Sequence, residues 1–215
     1  MDDWTPASAG IRYRVEGGGV RVTLPEGQAM VAEADRLLYR GDGVNWSLAV
    51  SSAGRIRGWV NRIQRRAVAL PGRMSRYEGP GEVAFAAGAP AEVQAVEFVR
   101  GDNLVVAAPA FLAAAAGVQI DVALVEKVRD EGERRTLVMY RLTGEGLALL
   151  AASGDALRVH LRPDEAVEAA AWAGAWYDAT GGYELRVLGG RRGNHVARIT
   201  GPARVVVQTA WPPVR

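Results

Sequence analysis

The chain has 215 residues, 49% of them apolar and 23% charged, a balance that suits a globular protein with enough sequence for a sizeable core. There is no Cys, which excludes disulfide staples and thiolate metal sites. The net charge is only +2, but it is unevenly spread: no acidic residue lies between Asp42 and Glu78, so that stretch carries +7 and the remainder −5.

In chain order, the opening MDDWTPASAG has no basic segment leading into an apolar one, so no signal peptide is expected and a cytoplasmic location is the default. Val20-Arg21-Val22-Thr23-Leu24 alternates apolar and polar residues at period two, the pattern of a half-buried strand. GRIRGWVNRIQRRAVAL at 54–70 breaks that pattern. Ile56, Trp59, Val60, Ile63, Ala67 and Leu70 recur at helical spacing and predict a short amphipathic helix near 55–68, with Gly58 weakening its start. The simplest role for such a helix is to pack its apolar face on the β body with its arginines in water. The sharper one makes Arg55, Arg57, Arg62, Arg65, Arg66 and Arg73 an anion-binding surface for the phosphates of RNA or anionic lipid, with Trp59 among them.

The longest apolar run, LVVAAPAFLAAAAGV at 104–118, is too short to span a bilayer and is broken by Pro109, so buried strands are expected. KVRDEGERR at 127–135 has the composition of a solvated hairpin tip rather than of an acid/base pair, which needs environments that push two pKa values apart. Alternation returns in Leu157–Arg162 and Tyr183–Val187, with Leu157, Val159 and Leu161 expected to face inward and His160 to face outward beside Arg158 and Arg162. Trp172, Trp176 and Tyr177 read as core or interface. Gly and Pro punctuate these runs throughout, as in an all-β sandwich or barrel.

Two landmarks recur. Gly79, Gly144 and Gly201 each precede an apolar strand, and Leu24 to Met30, Phe98 to Leu104 and Leu161 to Val167 each span a polar turn with the same separation. They suggest three related β units in a single β domain over 1–215: units near 77–128 and 140–188, and a third split between 199–210 and 11–50. The terminal segments of such a chain would pair to close a ring and remove exposed edges.

MSRYEGPGEVAFAA, PAFLAAAAGV, LTGEGLALLAASG, ITGPARVVVQT and GQAMVAEADRLLY resemble, in order, the signatures of the altered-inheritance-of-mitochondria protein 24 family, over roughly residues 11–210. The resemblance implies a double-stranded β-helix, or jelly-roll, similar to the trp RNA-binding attenuation protein. It implies no catalytic residues, and the family's mitochondrial members are linked to inner-membrane organisation. This chain departs from the pattern at Ala203, where a second Gly is usual, and at ALPGR, 69–73, which replaces a Gly-Glu-containing turn. No tryptophan- or RNA-contacting motif of the attenuation protein can be matched, so neither ligand is carried over.

Catalytic motifs are missing from the sequence: there is no G-x-S-x-G elbow and no phosphate-cradling Gly-rich loop ahead of a helix. His160 and His195 are the only histidines and read as surface groups rather than a metal pair. The reading is therefore a non-enzymatic β scaffold or binding protein that needs no cofactor or metal. Its expected partners are protein, a second copy of itself, or RNA or anionic lipid. The alternative is a small-molecule-binding or enzymatic jelly-roll with an internal pocket, which convergent polar groups in a cavity would favour.

Overall fold

The computed structural model describes residues 4–48, 74–88, 90–130, 133–188 and 194–210. A hairpin of β1 (Thr5–Pro6) and β2 (Arg12–Glu16) leads into three consecutive segments of six strands. The first holds β3 (Gly19–Leu24), β4 (Ala29–Glu33), β5 (Leu37–Arg40), β6 (Asn45–Leu48), β7 (Met74–Glu78) and β8 (Gly81–Ala86). The second holds β9 (Ala91–Phe98), β10 (Asn103–Ala107), β11 (Phe111–Ala115), β12 (Val118–Asp130), β13 (Glu133–Gly144) and β14 (Gly146–Ser153). The third holds β15 (Ala156–Leu161), β16 (Ala166–Ala170), β17 (Gly174–Asp178), β18 (Gly182–Leu188), β19 (Asn194–Thr200) and β20 (Ala203–Gln208).

One pairing scheme serves all three segments. The sixth strand pairs antiparallel with the first and third, and the fifth with the second and fourth. Each segment thus builds two three-stranded sheets, and aromatic pairs link the two in every case: Tyr77 with Phe85, Phe111 with Tyr140, and Tyr177 with Tyr183, at centroid distances of 5.5, 5.9 and 5.2 Å. Segments join where the third strand of one pairs with the second strand of its predecessor, β11 with β4 and β17 with β10, merging half-sheets into two six-stranded sheets.

The local chemistry repeats with the topology. The turns after β3, β9 and β15 close through equivalent backbone bonds, Gln28 N to Pro25 O, Asp102 N to Val99 O and Glu165 N to Arg162 O, at 3.0–3.1 Å. Asp102 and Glu165 also accept from the first backbone N–H of their turns. Gly144, at the hairpin between β13 and β14, has φ +103°, and a Cβ there would collide with the carbonyl of Gly117. In the third segment Ala203 replaces the positive-φ glycine found at 81 and 146 without itself adopting positive φ, and the turn before it carries a cis Gly201–Pro202 bond, as Gly79–Pro80 does in the first.

Two apolar clusters fill the spaces between sheets. One gathers Val20, Leu24, Tyr77, Phe85, Leu112 and Leu149; the other Phe111, Tyr140, Leu150, Trp176, Ile199 and Val205. The run at 104–118 is buried strand on both sides of Pro109, as expected.

Several expectations need correcting. β3 and β20 lie in different sheets, so the terminal segments do not pair to complete a unit. The landmarks are real but their phase is reversed: the polar turn opens each segment and the glycine hairpin comes near its end, which yields three unbroken segments without closure. Leu157 is 56% exposed rather than inward: its cross-strand row runs through Val207 to Gly174, which has no side chain to cover it, while Val159 and Leu161 on the same face do pack against the core. The helix expected near 55–68 lies outside the described residues.

Candidate binding groove and its charged rim

A groove of about 260 Å³ lies between the β15–β20–β17 sheet and β9. Its floor is apolar, from Leu104, Trp176 and Val206, all nearly buried, because these strands present Val and Trp where they pair. Strand alternation puts Arg158 and His160 on the groove face, and Arg204 stands directly opposite His160 on β20.

Both arginines are already engaged. The Arg204 Nε donates to Asp178 Oδ2 at 2.8 Å, and its backbone N–H donates to the same oxygen at 3.1 Å. Glu92 accepts from Arg158 at 2.5 Å, from the Ala156 backbone N–H at 3.0 Å and from Gln94 at 3.1 Å. The Ala156 N–H, then Gln94 and Arg158, hold the Glu92 carboxyl below the usual carboxylate range. With each cation matched by a carboxylate, the groove offers an amphipathic slot with a balanced rim, not an anion site.

A second charged array covers the β2–β3–β8 surface. Arg21 forks onto Glu82 at 2.9–3.1 Å, Tyr39 donates to the same carboxylate, and Arg14 pairs with Glu16 at 2.7 Å. The Arg21 hydrogen bond, with Tyr39 assisting, lowers the Glu82 pKa. Arg21 also lies 5.5 Å from the Trp4 ring centroid, a cation–π contact.

Buried polar chemistry concentrates where the first two segments meet. Arg36, 4% exposed, donates to the backbone carbonyls of Ala87 at 3.2 Å and Pro109 at 2.5 Å, while Tyr140 Oη donates to buried Glu33 at 3.0 Å. These bonds tie segment to segment.

Of the arginines singled out in the sequence, Arg55, Arg57, Arg62, Arg65, Arg66 and Arg73 lie outside the described residues; Arg76, in the same acid-free stretch, sits on β7 with Glu78 at 3.4 Å. His160 is exposed on β15 and His195 half-buried on β19, in different sheets. Of the 127–135 stretch, residues 127–130 and 133–135 lie on the paired ends of β12 and β13. Trp176 and Tyr177 are buried, as expected. Sequence reasoning missed the Glu92–Arg158, Asp178–Arg204 and Glu33–Tyr140 pairs and the bond of Arg36 to the Pro109 carbonyl, whose partners are separated by 26 to 107 positions and carry no local motif. Among the described residues, no group of three or more His, Asp or Glu is placed to hold a metal, and no helix is long and apolar enough to cross a membrane.

No curated protein matched the sequence. The crystal structure of protein SPYM3_0169 from Streptococcus pyogenes is similar, with a TM-score of 0.71 at 16% identity over 94% of both chains, which supports the fold alone. Residues 11–210 match the family described as Mitochondrial biogenesis AIM24, a span that includes every strand but β1, and the chain belongs to that family.

Proposed function

We propose that the protein is a non-enzymatic β scaffold that engages a protein or anionic partner through its outer surface, in the cytoplasm. The observation that carries this reading is the packing of the interior: both clusters are filled by aliphatic and aromatic side chains, and the described groove, floored by members of the second cluster, has its rim charges matched. Each segment's two facing three-stranded sheets support a finer reading of the units as short double-stranded β-helices, of the jelly-roll type found in the trp RNA-binding attenuation protein.

Anionic binding falls to the arginines of 55–73. Sedimentation with phosphatidylglycerol vesicles and filter binding to RNA, at low and high salt, test it. Binding at low salt that falls steeply with added salt, and is lost in the Arg55→Glu, Arg62→Glu, Arg65→Glu triple variant, is the expected result. A wild-type protein that binds neither at low ionic strength would overturn the anionic branch, leaving a protein partner, whose mark is stoichiometric co-purification at physiological salt. The amphipathic groove supports a second reading, a small-molecule site lined by Trp176 and Arg204. A ligand displaced by Trp176→Leu but indifferent to the arginine triple variant would favour it.

A further inference from the structure

The two joints between segments share one register. Ala113, Ala114 and Ala115 of β11 face Ala32, Val31 and Met30 of β4; Trp176, Tyr177 and Asp178 of β17 face Val106, Val105 and Leu104 of β10. The third strands match in detail, since β5, β11 and β17 each break register against the sixth strand at the same step, around Leu38, Leu112 and Ala175. The second strands match too, with Val31, Val105 and Glu168 each opposite an arginine of the fifth strand, Arg76, Arg141 and Arg198.

Among the described residues, two strands of this joint type have no partner across the joint. β5 is the outer strand of the first segment's half-sheet, and β16 is the outer strand of the third segment's. Their exposure differs from that of their counterparts: Leu38 is 59% exposed where Leu112 and Ala175 are fully buried, and Tyr39 is 44% exposed where Ala113 and Trp176 are buried. Other edges, such as β12, β18, β9 and β15, belong to strand positions that are edges in more than one segment. Among the described residues, β5 and β16 alone are open where the repeat is closed.

Carrying the register across sets Tyr39 opposite Ala169, Arg40 opposite Glu168, and Gly41 opposite Val167. At the closed joints the middle pair is uncharged, Ala114 with Val31 and Tyr177 with Val105. At the open one it becomes Arg with Glu. Glu168 already has Arg198 beside it at 3.2 Å and Arg186 at 3.4 Å, and Arg40 would approach from the vacant side, giving a row of alternating sign across the sheet. Charges on an edge can simply discourage pairing, but opposite charges at matched positions of two complementary edges favour it.

We propose that β5 of one molecule pairs with β16 of a second copy, joining the five-stranded β1–β2–β3–β8–β5 sheet to the three-stranded β16–β19–β18 sheet, so that β3–β8–β5–β16–β19–β18 repeats the strand order of the two joints within the chain. The contact is head-to-tail, so each added copy offers the next free edge, and assembly gives a closed ring or a filament rather than a two-fold dimer.

The absence of Cys makes the register testable. Directly opposed strand residues lie within disulfide reach. On mild oxidation, Arg40→Cys protein mixed with Glu168→Cys protein should form the mixed disulfide at least about tenfold faster than either variant forms its own. The double variant should give a ladder of multiples of 22.9 kDa. Sedimentation velocity of the unmodified protein should show mass rising with concentration, and Arg40→Glu should shift that rise to at least about tenfold higher concentration; because Arg40 also donates to the Val44 carbonyl at 2.7 Å, Glu168→Arg, which leaves that bond intact, should give the same shift. A double variant that bridges only within itself, mixed disulfides no faster than self-pairing, or an unmodified protein monomeric at every concentration would each overturn the proposal.

Discussion

The two joints within the chain have the same strand order and register but opposite chemistry. The first is lined by small residues, Ala113 to Ala115 against Ala32 and Val31, and is pinned by polar groups: Tyr140 on Glu33, and Arg36 on the carbonyls of Ala87 and Pro109. The second replaces the alanines with Trp176 and Tyr177, and at positions equivalent to Glu33, Arg36 and Tyr140 it has Ala107, Ala110 and Ala197. Geometry therefore comes from the backbone ladder, and the side chains have two ways to secure it. Bulk does so in one place, and directed hydrogen bonds do so in the other.

The largest expected effect comes from removing the bulk. Trp176→Ala should destabilise by about 3–5 kcal/mol, the range for deleting a buried aromatic, with the loss read from urea unfolding. Should it cost less than about 1 kcal/mol, the aromatic fill is incidental to the second joint. Next is Arg36→Leu, which strips buried carbonyls of a charged donor and should cost about 2–3 kcal/mol. An equal or greater stability would mean that the pin is replaceable by apolar packing, as some buried ionic groups are.

The smallest effect at neutral pH belongs to Tyr177→Phe, expected within about 1 kcal/mol. Its signature is at alkaline pH. Burial pushes the Tyr177 hydroxyl up to about 12, and the neighbouring Tyr183 higher still, in each case chiefly by desolvation. The folded state then holds protons that the unfolded state gives up above about pH 10, so stability should be full below that pH and fall as it rises toward 12, on the order of 2 kcal/mol for Tyr177. The Phe variant should lose its share of this slope, while Arg36→Leu should keep all of it. A variant as alkali-sensitive as the parent would separate the second joint from the titration.

Much of the strand content was legible because half-buried strands leave period two in the sequence, as in Val20–Leu24, and because the polar turns and hairpin glycines recur in order. The phase of the repeat was not. A cyclic order of landmarks has no marked beginning, and the second landmark of each segment was taken for the first. Leu157 was misread because alternation identifies a face but not whether anything covers it. Nothing local marks Glu33 and Arg36 for burial, since their partners lie 107 and up to 73 positions away. The arginine-rich stretch stands out by composition alone, and nothing local sets Glu92 and Asp178, which neutralise the groove, apart from the other acidic residues.

The shared sheets also bear on how the chain reaches its folded state. Each segment's ladders close over some sixty residues, yet in the first two segments the second strand stays unpaired on one side until the third strand of the following segment is made. Order of synthesis and order of docking therefore coincide, and cooperativity passes between neighbours only, as in a short linear array. The middle segment contributes strands to both six-stranded sheets. A lesion there, unlike one in either outer segment, uncouples the chain in both directions, so hydrogen exchange in the first and third segments should rise together only when the second is damaged.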